Sequence, residues 1–312
     1  MTPLRVLVVG SGAMGRRHMR AVQAAGDRVV AVADENLPRA REAAAEVGAD
    51  AHASLEDALA GVSADVAVIA TPSSGHLGQA LVALRAGLDV LVEKPHRVPG
   101  EDPSAVRGAL PGRRYVVGMT TRHWLGVQAL AEAVGSGSLG RVLSYTDRIH
   151  FRLGEGDLPA WYFDASVSGG GVVVTNGVHA VDRARAVLGA DLELEDARLS
   201  RLYADHGCED SAELNLRTAE GVPVQLSLLW APYEPLDTGI LVTASSGAGV
   251  VRMDGSWCIV TGEGRSEGPP IEADEPFVRQ WESFREGRSG IGLDDLEPTL
   301  ALIERIYGQY AR

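Results

Sequence analysis

Residues 4–34, LRVLVVGSGAMGRRHMRAVQAAGDRVVAVAD, decide the fold of the amino-terminal half. The apolar run 4–9 breaks off at Gly10-Ser11-Gly12-Ala13-Met14-Gly15, Arg16 to Ala25 then reads as a helix closed by Gly26, and a second apolar run, Val29 to Ala33, ends in Asp34. Two parallel strands joined this closely need a crossover helix, which is what lies between them. The turn has the spacing Gly10-x-Gly12-x-x-Gly15, and an acid follows 24 residues after the first glycine. That combination meets the needs of a dinucleotide: a tight turn, close backbone approach to a pyrophosphate, a helix amino-terminus facing it, and a carboxylate for a ribose diol. Asp34 repels a 2′-phosphate and Glu35 adds a second negative charge, so NAD is preferred. Arg39 and Arg41 on the next helix keep NADP possible. His18, inside the first helix, reads as a packed or solvated helix residue.

Working outward, helical and strand patterns alternate: helix Arg39 to Val47, a short strand near Ala51, helix Leu55 to Leu59, strand Val66 to Ala70, helix His76 to Ala86 and strand Val90 to Val92. This predicts an α/β fold with a doubly wound parallel sheet whose ligands lie at the carboxyl ends of the strands. Thr71-Pro72 and Glu93-Lys94-Pro95 fall at those ends. After a stretch broken by prolines and glycines comes a last strand, Tyr115 to Gly118, and the domain boundary is placed at about residue 120. Residues 1–120 form the nucleotide-binding domain of this reading and 121–312 the substrate and oligomerisation domain.

The second half has a helix Val127 to Val134 and strand-like segments at Val142 to Phe151, Ala197 to Tyr203, Ala212 to Thr218, Val224 to Leu229, Gly239 to Ala244, Val250 to Met253 and Cys258 to Val260. Their short connections predict a mostly antiparallel sheet. A helix is expected at about Gly171 to Leu188. A closing amphipathic helix, about 294–310, is expected to pack back on the first domain.

Composition narrows the partners. A chain of 312 residues suits two domains, no apolar run reaches the length of a bilayer span, and the start enters a strand pattern directly, so a cytoplasmic protein is expected. A net charge of −13 with no basic stripe disfavours nucleic acid and membranes, and leaves a small molecule as the expected partner. Cys208 and Cys258 lack metal-ligand spacing, and no metal is expected; the cluster Asp205, His206, Glu209 and Asp210 reads as a polar loop. The 29 basic residues are 28 arginines and one lysine, Lys94. Arginine cannot lose its proton in a protein, whereas lysine can. The sole lysine at a strand-end turn beside the dinucleotide motif is therefore the candidate for proton transfer.

Gly10-x-Gly12-x-x-Gly15, Ala70-Thr71-Pro72 with His76, Glu93-Lys94-Pro95, and Gly169-Gly170-Gly171 followed by Gly177-Val178-His179 and Asp182 together resemble the glucose-fructose oxidoreductase and inositol dehydrogenase family, Gfo/Idh/MocA. The resemblance implies an N-terminal Rossmann domain, a C-terminal α/β domain with an open-faced sheet, NAD(P), and homodimers or homotetramers through that sheet. It implies Lys94 and His179 flanking a reacting carbinol of a sugar, aminosugar or cyclitol, and places His76 near the nicotinamide. Where the family usually has aspartate four residues before the histidine, this chain has Thr175. On a continuous helix Thr175, His179 and Asp182 share a face, so Asp182 could orient His179 instead. Arg122, His123, Trp161 and Asn176 are the further candidates for substrate contacts. In the stretch Leu158 to Asp164, Tyr162 stands where the family often has arginine. The expected activity is hydride transfer between nicotinamide and a secondary alcohol or ketone. A redox-neutral enzyme using tightly held NAD, or a non-catalytic NAD-binding protein, are the rivals.

Overall fold

The structure is a computed structural model, and it describes residues 2–153, 156–203, 207–233, 238–288 and 290–310. The chain divides into two compact units, 1–120 with 272–296, and 121–271 with 297–312.

In the first unit the order is β1 (Arg5–Val9), α1 (Ala13–Ala24), β2 (Arg28–Ala33), α2 (Leu37–Val47), β3 (Asp50–His52), α3 (Leu55–Gly61), β4 (Val66–Ile69), α4 (His76–Arg85), β5 (Asp89–Glu93), α5 (Ser104–Ala109) and β6 (Tyr115–Gly118). The strands form one six-stranded sheet in the order β3-β2-β1-β4-β5-β6, and every pairing is parallel. Val6, Val8, Val66, Val68 and Leu91 are buried in it, with Met19 and Val22 of α1 against them. Strands covered on both faces need continuous apolar runs, and β1, β4 and β5 have them.

The first unit is completed from far along the chain. The helix α9 (Glu275–Arg285) belongs to it and lies against α1, burying Phe277, Trp281 and Phe284 in the same core. Trp281 donates its indole N–H to Asp27 Oδ2 (2.9 Å), while Asp27 Oδ1 accepts from the Leu4 amide (2.8 Å). The Val117 amide donates to Ile291 O at 2.7 Å. The returning segment is thus 272–296, whereas the closing helix α10 (Leu293–Tyr310) has residues 297–310 in the second unit.

The second unit contains α6 (Leu125–Gly135), β7 (Val142–Arg152), the short α7 (Ala165–Ser168) and α8 (Val178–Leu188), then β8 (Leu192–Ser200), β9 (Ser211–Thr218), β10 (Pro223–Ala231), β11 (Gly239–Ala244), β12 (Ala248–Arg252), β13 (Trp257–Thr261) and β14 (Gly264–Gly268). They form an eight-stranded sheet ordered β14-β13-β12-β11-β7-β10-β9-β8, antiparallel except for the parallel pair β7 and β10. Alternation sets its buried face: Tyr145, Asp147 and Ile149 on β7, and Val224, Leu226, Leu228 and Trp230 on β10. An ion pair joins β7 to α8 there, with the Arg183 guanidinium donating to both Asp147 oxygens at 2.7–3.0 Å and both side chains essentially inaccessible. β8 starts at Leu192 rather than Ala197, because Leu192 and Leu194 pair with Thr218 and Leu216 of β9. The exposed β14 carries no apolar pattern and was not expected.

Candidate functional site

The glycine-rich turn links β1 to α1. Gly10 has φ 92°, and a Cβ there would stand 2.5 Å from Ala70 O; a Cβ on Gly15 would stand 1.9 Å from Gly10 O. Both glycines are therefore required by the protein itself. A Cβ on Gly12 would meet nothing within 4 Å, and α1 begins with no side-chain cap. That leaves the middle glycine and the first amides of α1, which include Ala13, Met14 and Gly15, for a ligand, as the pyrophosphate reading of the motif requires. These residues fit a dinucleotide.

At the end of β2, Asp34 is held by several donors. The amide and hydroxyl of Ser11 both donate to its Oδ2 at 2.8 Å, the Asn36 amide donates to Oδ1 at 2.9 Å, and the Arg39 guanidinium reaches both oxygens at 2.8–3.1 Å. Burial would raise the pKa of Asp34, yet the bonds from Arg39 and Ser11 outweigh it and hold the carboxyl below its ordinary value. Ser11 thus belongs to the support of Asp34. Arg39 is already committed to that same carboxylate.

The strand-end turns after β4 and β5 are tied together by His76. Its Nδ1 lies 2.7 Å from Pro95 O and its Nε2 lies 2.7 Å from Thr71 O, with the residue 1% exposed. His76, expected beside the nicotinamide, thus ties together the two strand-end turns through its ring nitrogens. Burial lowers its pKa, opposed by the contacts to Pro95 and Thr71 and by the charge of Glu93. Thr71 donates its hydroxyl to Gln79 Oε1 at 2.5 Å, and Pro72 leads into a single helical turn over Ser73–Gly75. Lys94 and Pro95 are joined by a cis peptide bond. Burial holds the Lys94 ammonium below its ordinary pKa of 10.5, with Glu93 opposing. Glu93 itself is buried, with Oε1 2.8 Å from His18 Nε2 and Oε2 accepting the Lys94 amide at 3.2 Å. His18 is therefore neither solvated nor merely packed.

In the second unit, the glycine run and its helix are fixed by a residue that the sequence did not single out for this role. Glu209 accepts from the Gly171 and Val173 amides through its carboxylate at 3.0–3.1 Å, and from the Val172 amide through its main-chain oxygen at 3.0 Å. The Tyr307 hydroxyl donates to the same carboxylate at 2.7 Å. A Cβ on Gly171 would lie 2.0 Å from Glu209 O, and one on Gly170 2.1 Å from Tyr307 Oη, which explains the glycines. Asp210 accepts the Leu202 and Tyr203 amides at 2.8 Å. Asp205 and His206 lie outside the described residues. No group of histidine, cysteine and acidic residues that could hold a metal ion is found among the described residues.

The helix is not continuous. A π turn spans Val173–Gly177 before α8 begins, so Thr175 and Asn176 lie in a wider turn than the α register assumed for His179. Asp182, fully buried, takes Arg122 in a two-pronged ion pair at 2.7 and 2.8 Å. Asp182, expected to orient His179, thus takes Arg122, and Arg122, expected at substrate hydroxyls, gives Asp182 its Nε–H and an Nη2–H. The Thr121 hydroxyl and His179 Nδ1 lie 3.4 Å apart. Asn176 accepts the Trp230 indole N–H at 2.8 Å, which aims its amide. Trp161 stacks on Tyr162 with ring centres 3.9 Å apart. His123 ends the helical turn Thr120–His123 beside Arg122. Lys94 belongs to the first unit and His179 to the second.

Two conserved patterns of known proteins match this architecture. Residues 4–107 match the oxidoreductase family with an NAD-binding Rossmann fold, and residues 127–249 match the Gfo/Idh/MocA C-terminal domain. Among relatives, the inositol 2-dehydrogenase of Streptomyces avermitilis is 33% identical over 238 residues, covering 72% of this chain and 66% of that protein. That of Mycolicibacterium gilvum is 30% identical over 262 residues, covering 81% and 72%. The matched stretch spans just under two thirds of the first relative's length. The WlbA dehydrogenase from Bordetella pertussis, solved with NADH and UDP-GlcNAcA, has the same fold, with a TM-score of 0.84, 24% identity and coverage of 98% and 95%. The chain belongs to the Gfo/Idh/MocA oxidoreductase family.

Proposed function

We propose that the protein is an NAD-dependent oxidoreductase that moves hydride between nicotinamide and a secondary alcohol or ketone of a sugar, aminosugar or cyclitol. The observation that carries this reading is Lys94: the chain's only lysine, at the end of β5, with its ammonium destabilised by burial. The relatives named above act as inositol dehydrogenases and support the cyclitol or sugar class. In this reading the first unit holds the dinucleotide through residues 10–15, Asp34, Thr71 and Pro72, and the second supplies the substrate side through His123, Trp161, Thr175, Asn176 and His179. NAD is the preferred dinucleotide because Asp34 stays ionised.

Bound nicotinamide supplies the hydride acceptor. Lys94 would take the proton that the substrate hydroxyl releases, and His179 is assigned to the substrate. A base placed this way is worth about 10²–10⁴-fold in rate. Thr175 can donate or accept a hydrogen bond but carries no charge. That substitution favours, as a second reading, a redox-neutral use of tightly held NAD, which copurified NAD and product formation without net NADH would mark.

The outer face of the eight-stranded sheet exposes Leu241 and Val260 and is the surface we assign to a homodimer or homotetramer. No helix among the described residues is long and apolar enough to cross a membrane, and the free thiols Cys208 and Cys258 suit the cytoplasm. The test is a panel of polyols with NAD and keto-sugars with NADH, read at the reduced-nicotinamide absorbance. Lys94→Arg keeps the charge but not the base, and kcat should fall at least 100-fold with the fold intact. Near-normal turnover in that variant would remove the assigned role.

A further inference from the structure

His18 and Glu93 form a buried pair that the dinucleotide motif does not require. His18 is 1% exposed, sits on α1 one turn beyond Gly15, and meets the edge of Phe277 with ring centres 5.1 Å apart. Its Nε2 is 2.8 Å from Glu93 Oε1. The other carboxylate oxygen accepts the main-chain amide of Lys94 at 3.2 Å. Both oxygens of Glu93 therefore have fixed partners, one on the helix that follows the glycine turn and one in the backbone of the turn itself. Within this unit the titratable groups acting on Lys94 are Glu93 on its own strand and His76 from α4, and those acting on Glu93 are His18, His76 and Lys94.

We propose that His18 is a positioning residue for Lys94: by taking Oε1 of Glu93 from the α1 side, it holds that carboxylate back from the lysine side chain and leaves the amine readier to give up its proton. A carboxylate released from its partner in a buried site turns to the nearest cation, and a close opposite charge stabilises the ammonium form. The same helix that offers its first amides to the dinucleotide thus also sets the charge beside the base. The direction in which Lys94 is displaced, below its ordinary value with Glu93 as the opposing influence, agrees with this arrangement. The inference builds on the reading of Lys94 as the proton-transfer group, but its consequence is measurable without turnover.

The sole lysine makes the experiment direct. Protein grown with lysine labelled with ¹³C at Cε gives one lysine resonance, and its pH titration reports Lys94 alone. In His18→Met, which fills the space but offers no hydrogen bond, the midpoint should rise by about one pH unit or more. In His18→Gln, whose amide can still donate to Glu93, it should stay near the wild-type value. An unmoved or lower midpoint in His18→Met overturns the proposal. Should that variant fail to fold, Glu93→Gln decides: removing the anion must lower the midpoint, and an unchanged one overturns the proposal equally. The acid limb of the kcat profile is read alongside. If the resonance moves and the limb does not, His18 keeps its role and Lys94 loses the one assigned to it above.

Discussion

At the scale of single residues, the turns and strand ends of the nucleotide half were largely legible and their bracing was not. Periodicity put Gly10, Gly12, Gly15, Asp34 and Lys94 at the strand ends and turns they occupy. Spacing could not reveal that His18 reaches Glu93 across 75 positions, or that His76 faces two carbonyls, because such contacts depend on how separate helices meet the sheet. Asp34 lies between these cases: its place was evident, but its bonds to Ser11 and Arg39 were not. Those bonds lead to a prediction. Asp34→Ala loses a charge-assisted acceptor, worth about 1.5–3 kcal/mol, and releases Arg39 toward a 2′-phosphate, so the preference for NAD over NADP should fall by roughly 10–100-fold in calorimetric titration. Because Asp34 is held below its ordinary pKa of 3.8, its stabilising bonds are fully present at neutral pH and are lost only as pH falls through the carboxylate range.

Among elements, the strands of the second unit announced themselves by alternation, whereas the helix carrying His179 misled in a specific way. Nothing local in its sequence signals the π turn, whose Val173 and Asn176 are bonded from outside by Glu209 and Trp230. The partner of Asp182 was hidden for the same reason, as Arg122 lies 60 positions away. The attachment of α8 to β7 relies on the buried Arg183–Asp147 pair. Asp147→Leu strands a buried guanidinium and should cost about 3–5 kcal/mol in urea unfolding, as should Arg183→Met by stranding the carboxylate. The double replacement should cost less than either, because neither charge is then left alone. Additive losses would count against the pair acting as a unit.

For the molecule as a whole, charge and hydrophobic content bounded the class of partner, and the alternation of elements gave a parallel sheet followed by a mostly antiparallel one. The path of the chain was less legible. The stretch that returns to the first unit is α9, whose Phe277, Trp281 and Phe284 spacing could equally have served the second. Alkaline pH tests the integrity of the second unit. Tyr145 and Tyr307 are both held well above their ordinary value of 10.0, by burial first and then by Asp147 and Glu209 respectively. The folded protein keeps protons that the unfolded chain releases, so stability is full below about pH 10 and declines above it. Each such tyrosine contributes a slope of about 1.4 kcal/mol per pH unit. Tyr307→Phe should flatten that decline in denaturant titrations at pH 10–11, and an equally steep fall would locate the sensitivity elsewhere.

The late arrival of α9 also bears on how the chain is made. Synthesis delivers residues 1–120 some 150 residues before 272–296, so the nascent sheet and α1 wait with Met19, Val22 and their neighbours uncovered by the aromatic side chains that later close over them. At about 5–20 residues per second this interval lasts on the order of ten to thirty seconds. Over that time the emerging half is a natural client for a chaperone, and a ribosome stalled before Trp281 would display a sticky, half-covered sheet.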